Sequence, residues 1–232
     1  MTAKAAIDLL DRDRLVVSRQ GSGVFVRAQT ERPVGLRPLM EAAFSRPKVS
    51  VDFAGLSGET LNNSLAEVLD KVRAGRLTPE SIQLRALIVD TEQPMTLPRS
   101  AVAGGDNAEV WKRSDRITRR SVGSLVDSIT ELADLGLVKH ASAEIRAHNL
   151  APMFKLFILN DQEAFFGFYD VVEHAVNIGN EQVPIYDVLG KDSMLFHFTT
   201  TDDDASHGPR YVEQARAWFD SVWSTVAREY QP

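Results

Sequence analysis

The stretch Ile82-Gln-Leu-Arg-Ala-Leu-Ile-Val89 constrains this chain more than any other. It is almost continuously apolar, with Arg85 inside it, and reads as a strand buried on both faces. A strand of that kind needs cover above and below, and its neighbours in sequence supply it. Lys48–Phe53 alternates Val49, Val51 and Phe53 with polar residues and predicts a second strand. After a loop over Ala54–Leu61, Leu65, Val68, Leu69 and Val72 fall on one face of a helix over about Asn62–Ala74, with Gly75 as its stop. Beyond the buried strand, Thr91–Asn107 reads as loop. Arg116–Leu135 follows as a long helix whose stripe is Val122, Leu125, Val126, Ile129, Leu132 and Ala133, closed by Gly136. Strands are then expected over about Ala143–Ala147, Met153–Leu159, Ala164–Val172 and Met194–Thr199. A last amphipathic helix is expected over Tyr211–Glu229. Strand–helix–strand–helix, then strands, then helix, predicts an α/β fold: a mixed sheet flanked by helices.

The 232 residues fit one large domain, or a small module with a medium one. No run approaches the ~18 consecutive apolar residues of a membrane span, and the mixed charges of the first 14 residues do not resemble a signal peptide. Cysteine is absent, which excludes disulfides, thiolate metal sites and cysteine nucleophiles and fits a cytoplasmic protein. The five histidines show no metal-ligand spacing, so neither metal nor cofactor is expected. Charge is uneven. Residues 1–50 carry nine Lys/Arg against five Asp/Glu, whereas residues 51–232 carry a net charge of −10. A basic front on an acidic body suggests that the front meets a polyanion.

That front reads as a short helix over Thr2–Asp13, with Ala6, Ile7 and Leu10 on one face, followed by a β-hairpin. Leu15–Ser18 and Val24–Arg27 are its strands, and Arg19-Gln-Gly-Ser-Gly23 its glycine-bearing tip. Thr30–Pro38, with two prolines, reads as a linker, and Leu39–Phe44 as one or two helical turns. A helix followed by such a hairpin is the second half of a winged helix-turn-helix. Its helix enters a major groove and its wing reaches phosphates or the minor groove.

The residues themselves carry a resemblance. Thr2-Ala-Lys-Ala-Ala-Ile7 and Leu15-Val-Val-Ser-Arg-Gln-Gly-Ser-Gly-Val-Phe-Val-Arg27 closely resemble the recognition helix and wing of the GntR family of bacterial transcription regulators. By that resemblance Thr2 and Lys4 are helix contacts to DNA, and Arg19, Gln20, Gly21, Ser22 and Gly23 are wing contacts. The family's first two winged-domain helices would lie ahead of Thr2, so a longer native product is expected. The division that follows is a partial winged module over 1–29, a linker over 30–47 and an α/β effector or dimerisation domain over 48–232.

Within the body, Met153-Phe-Lys-Leu-Phe-Ile-Leu-Asn160 with Gly167 has the spacing of the phospholipase D signature, His-x-Lys-x4-Asp-x6-Gly. The stretch resembles a degenerate version of that motif. Lys155 and Gly167 match, Met153 stands at the histidine position, and Asn160 at the aspartate position. In that superfamily the histidine attacks phosphorus, and a thioether cannot replace it. No His-x-Lys occurs elsewhere in the chain. The resemblance therefore implies a non-catalytic domain, its Lys155 and Asn160 facing an anionic or phosphorylated small molecule. Ser57, Gly58, Glu59 and Thr60, between a strand and a helix start, are candidates for holding an anion through backbone N–H groups, or form an ordinary capping loop. Arg85 and Arg146, each within a strand, either line a pocket or pair with a carboxylate inside the fold.

The expected function is a DNA-binding regulator of GntR type, not an enzyme, that senses a small-molecule effector and acts as a homodimer away from membranes. Two alternatives stand beside it: a ligand-binding or dimerisation paralogue without DNA binding, and a phosphodiesterase-like hydrolase.

Overall fold

In a computed structural model of the chain, the described residues are 6–7, 16–19, 23–26, 35–102, 104–105, 107–190, 193–201 and 207–232. The chain divides into two compact units, Met1–Val34 and Gly35–Pro232.

In the first unit, Ala6 and Ile7 are helical, and strands β1 (Val16–Arg19) and β2 (Gly23–Val26) pair antiparallel. The register sets Val16 opposite Val26 and Arg19 opposite Gly23, so the expected hairpin is present in the backbone. Thr2, Lys4, Gln20, Gly21, Ser22 and the rest of the helix expected over Thr2–Asp13 lie outside the described residues.

The second unit is α/β, as its sequence predicts. Its principal elements are α1 (Leu36–Phe44), β3 (Lys48–Ala54), α2 (Glu59–Arg73), β4 (Ser81–Val89), β5 (Arg99–Ser100), α3 (Ala108–Asp134), β6 (His140–His148) and β7 (Phe154–Leu159). There follow β8 (Glu163–Phe168), β9 (Asp170–Ile178), β10 (Glu181–Leu189), β11 (Phe196–Thr199), α4 (Gly208–Thr225) and β12 (Arg228–Glu229). A seven-stranded sheet runs in the order β11-β8-β7-β3-β4-β6-β12. Within it β3, β4 and β6 are parallel, and the remaining pairings are antiparallel. Helices α1, α2 and α3 cover one face over Val51, Phe53, Leu84, Ile88 and Phe157. Helix α4 covers the other, setting Val212, Phe219 and Trp223 against Leu87, Leu156 and Ile158. A second, antiparallel sheet, β5-β10-β9, packs Val176 and Ile185 on Val110 of α3.

Several expectations are corrected. The linker over 30–47 does not hold through its second half: α1 belongs to the core, with Met40, Ala43 and Phe44 buried. Pro38 sits in the first turn of α1, where backbone N–H groups have no helical partner in any case, so it does not break the helix. The single strand expected over Ala164–Val172 is two strands, β8 and β9, in different sheets with Tyr169 between them. Strand β10 was not expected. Helix α3 starts well before Arg116, because its first turns leave the main sheet and meet the second one through Val110. The last helix ends at Thr225, and Arg228–Glu229 turns back to pair with Arg146 and Ala147 of β6.

Candidate functional site

Strands β3, β4 and β6 point the same way, so their carboxyl ends share one edge of the sheet. In open α/β sheets that edge is where loops gather and ligands bind. Strand β7 runs against them and begins at that edge, which puts Lys155 beside the turn after β3. Lys155 lies opposite Gly167 of β8 and is 2% exposed. Its residue parity matches Phe157 and Leu159, so it faces the side covered by α1–α3. The ammonium donates to the carbonyl of Gly190, just after β10.

Tyr169 closes the same neighbourhood. It is buried, its hydroxyl accepts a hydrogen bond from Leu56 N–H at 3.3 Å, and its own N–H donates to the Met153 carbonyl at 3.0 Å. Burial pushes the phenol up to about 12, so it stays protonated and able to donate. Two glycines make room for the ring. A Cβ on Gly55 would stand 2.8 Å from the Tyr169 hydroxyl, and one on Gly190 would stand 2.6 Å from the ring and 3.6 Å from the Thr60 hydroxyl. Lys155 and Thr60 thus border the same glycine. Gly58, at φ +72°, turns the chain into α2. Among the described residues no side chain caps that helix, and Glu59 in its first turn complements the positive end of the helix dipole. Ser57 is half-buried and Glu59 exposed.

Two of the expected ligand groups lie away from Lys155. Asn160 lies beyond the opposite end of β7, about 17 Å away by strand rise. Its side-chain oxygen accepts from Ser50 N–H at 2.8 Å and its amide donates to the Ala43 carbonyl at 3.2 Å, which ties the β7–β8 turn to β3 and α1. Asparagine suits that turn because φ is +50° there. Arg146 faces α4: it donates to the Trp223 carbonyl at 2.6 Å, with its guanidinium 4.6 Å from the Trp223 ring centre. Arg85 takes the second of its two readings. It grips Asp52 with two hydrogen bonds of 2.8 and 2.6 Å and reaches Asp220 at 2.9 Å.

A polar cluster lies farther along the same sheet edge. Arg228 of β12 binds both oxygens of the buried Asp90, at 2.9 and 2.8 Å, and Glu92 at 2.7 Å. Arg119 of α3 binds Asp115 and Glu92, and the Thr91 hydroxyl donates to Asp115 at 2.6 Å. Its acids and bases satisfy one another, so it reads as a clamp holding β12 and α3 on β4. His148 is buried nearby, and desolvation holds its pKa below the ordinary value.

Of the residues brought together here, the sequence singles out Lys155, Ser57, Gly58 and Thr60 but not Tyr169, Gly55 and Gly190. The first sits inside an apolar run and the glycines carry no local pattern. What they do is decided by contacts across 35 or more residues. Compared with known family models the chain matches none, and no curated protein matches it.

Proposed function

We propose that this protein is a transcription regulator of GntR type whose acidic α/β unit senses an anionic or phosphorylated small molecule. The observation that carries the reading is the position of Arg19-Gln-Gly-Ser-Gly23. Arg19 and Gly23 form the closing pair of the β1–β2 hairpin, and a two-stranded hairpin closed by this pair supports the reading of a wing. The effector binds at the sheet edge beside Lys155, where its anionic group replaces the Gly190 carbonyl as an acceptor, with Thr60 and the backbone of Ser57 and Gly58 alongside. Two copies read paired half-sites as a symmetric dimer in the cytoplasm.

Selection from a random-sequence duplex pool tests the DNA half. Recovery of a common sequence is expected, together with weaker binding by Arg19→Ala and a salt dependence lower by about one phosphate contact. Failure to enrich any sequence refutes it and leaves the stand-alone ligand-binding reading. A thermal-shift screen of phosphorylated metabolites tests the other half. Stabilisation that Lys155→Met abolishes supports the site, and stabilisation that survives Lys155→Met refutes it.

A further inference from the structure

Helix α3 turns its apolar stripe inward, burying Val110, Val122, Leu125, Ile129 and Leu132. The outer side of its first half carries Lys112, Arg113, Arg116, Arg119 and Arg120, whereas the second half carries Asp127, Glu131 and Asp134 and no cation. Lys112 pairs with Glu109 at 2.7 Å, and Arg119 with Asp115 at 2.9 Å and Glu92 at 3.3 Å. Arg113, Arg116 and Arg120 form no ion pair with any described residue. Spacings of three and four residues put them on one face, along about 10 Å of helix axis. Arg116 and Arg120 are exposed and Arg113 is half-buried.

Like charges at these spacings repel one another, so the cluster does not help the helix to form. It also stands out from its surroundings, since residues 51–232 are otherwise strongly acidic. All three are arginines, whose planar fork matches phosphate oxygens.

We propose that this arginine face of α3 binds the phosphate backbone of double-stranded nucleic acid, independently of sequence and in addition to the wing. A membrane surface fits less well. A helix lying on lipid needs an apolar face free beside its cations, and that of α3 is inside the core. The choice of a duplex as partner agrees with the reading of the protein as a DNA-binding regulator, but the face does not depend on the wing.

The test measures binding of the full chain to a 30-base-pair duplex of arbitrary sequence between 50 and 200 mM salt. It is made for the parent, for the triple variant Arg113→Gln, Arg116→Gln, Arg120→Gln, and for Arg19→Ala, with circular-dichroism melting to show that each is folded. The triple variant is expected to bind at least tenfold more weakly at 50 mM, with a log–log salt slope shallower by about 2 to 3. The exposed single variant Arg120→Gln is expected to give about one third of that change in slope. An unchanged slope in both variants overturns the proposal, as does a parent chain that does not bind the duplex at 50 mM salt. A loss confined to phosphatidylserine-containing vesicles, with duplex binding intact, also overturns it. If Arg19→Ala has no effect while the triple variant loses binding, the wing reading fails and the α3 face stands.

Discussion

On the α4 face of the seven-stranded sheet, the guanidinium of Arg85 is held by two oxygens of Asp52, by Asp220, and by the rings of Phe219 and Trp223 at 4.9 and 5.4 Å. On the opposite face, Lys155 is more deeply buried and donates to a main-chain carbonyl in the segment after β10. Burial alone does not separate the two cations: Arg85 is held by carboxylates, whereas the acceptor of Lys155 among the described residues is a main-chain carbonyl. Asp52 and Asp220 join strand to strand and sheet to helix, so that ion pair reads as architecture. Burial pushes the Asp52 carboxyl up, Arg85 draws it back down, and the pair in turn holds Arg85 charged. Under the proposed function, the Gly190 carbonyl is the acceptor that a ligand oxygen would replace.

The largest test of that contrast is Asp52→Ala. It leaves Arg85 partly buried with the more exposed Asp220 and two rings, so the loss should fall at the low end of the cost of breaking a buried pair, about 3 kcal/mol. Urea unfolding should show a loss of that order. A loss below about 1 kcal/mol would mean that Arg85 is as exchangeable as Lys155.

Asn160→Ala comes next. It removes both turn hydrogen bonds and forces alanine into positive φ, with an expected loss of about 1 to 3 kcal/mol. Any ligand response at Lys155 should survive, because the two lie at opposite ends of β7. Loss of that response with stability intact would put Asn160 back in the site.

A smaller, pH-dependent effect belongs to His148. Its folded pKa lies below the unfolded value near 6.5, because burial disfavours the charged ring. Its contribution is fully present above pH 6.5 and is lost as the pH falls through that value toward the lower folded pKa, where the unfolded chain binds the extra proton. Unfolding free energies at pH 7.5 and 5.5 should converge in His148→Gln relative to the parent. Equal pH dependence in the two proteins would rule out the histidine as the source.

The smallest effect is expected for Lys155→Met. Replacing the ammonium with an apolar chain of similar length leaves the Gly190 carbonyl without this donor and should cost about 1 kcal/mol. A loss as large as that of Asp52→Ala would make Lys155 architectural too and erase the contrast.

Periodicity along the sequence determined much of the second unit: the buried strand at Ile82–Val89, the amphipathic stripes of α2 and the later part of α3, and β3 by its alternation all follow from short-range pattern. Side-chain direction repeats with the local backbone, so burial leaves a local trace. The hairpin was legible for the same reason, since a turn fixes its own register. Only the tertiary structure decided which sheet each strand joins, that Tyr169 separates two sheets within one apolar run, and that Asn160 ties down a turn while Lys155 meets Gly190. Those outcomes depend on partners tens of residues away, and a strand has the same alternation whichever neighbour it pairs with. The α3 arginines that form no ion pair with a described residue are visible in the sequence as part of a run of cations. Which of them find carboxylates is settled by where β4 and its following loop come to lie against the helix.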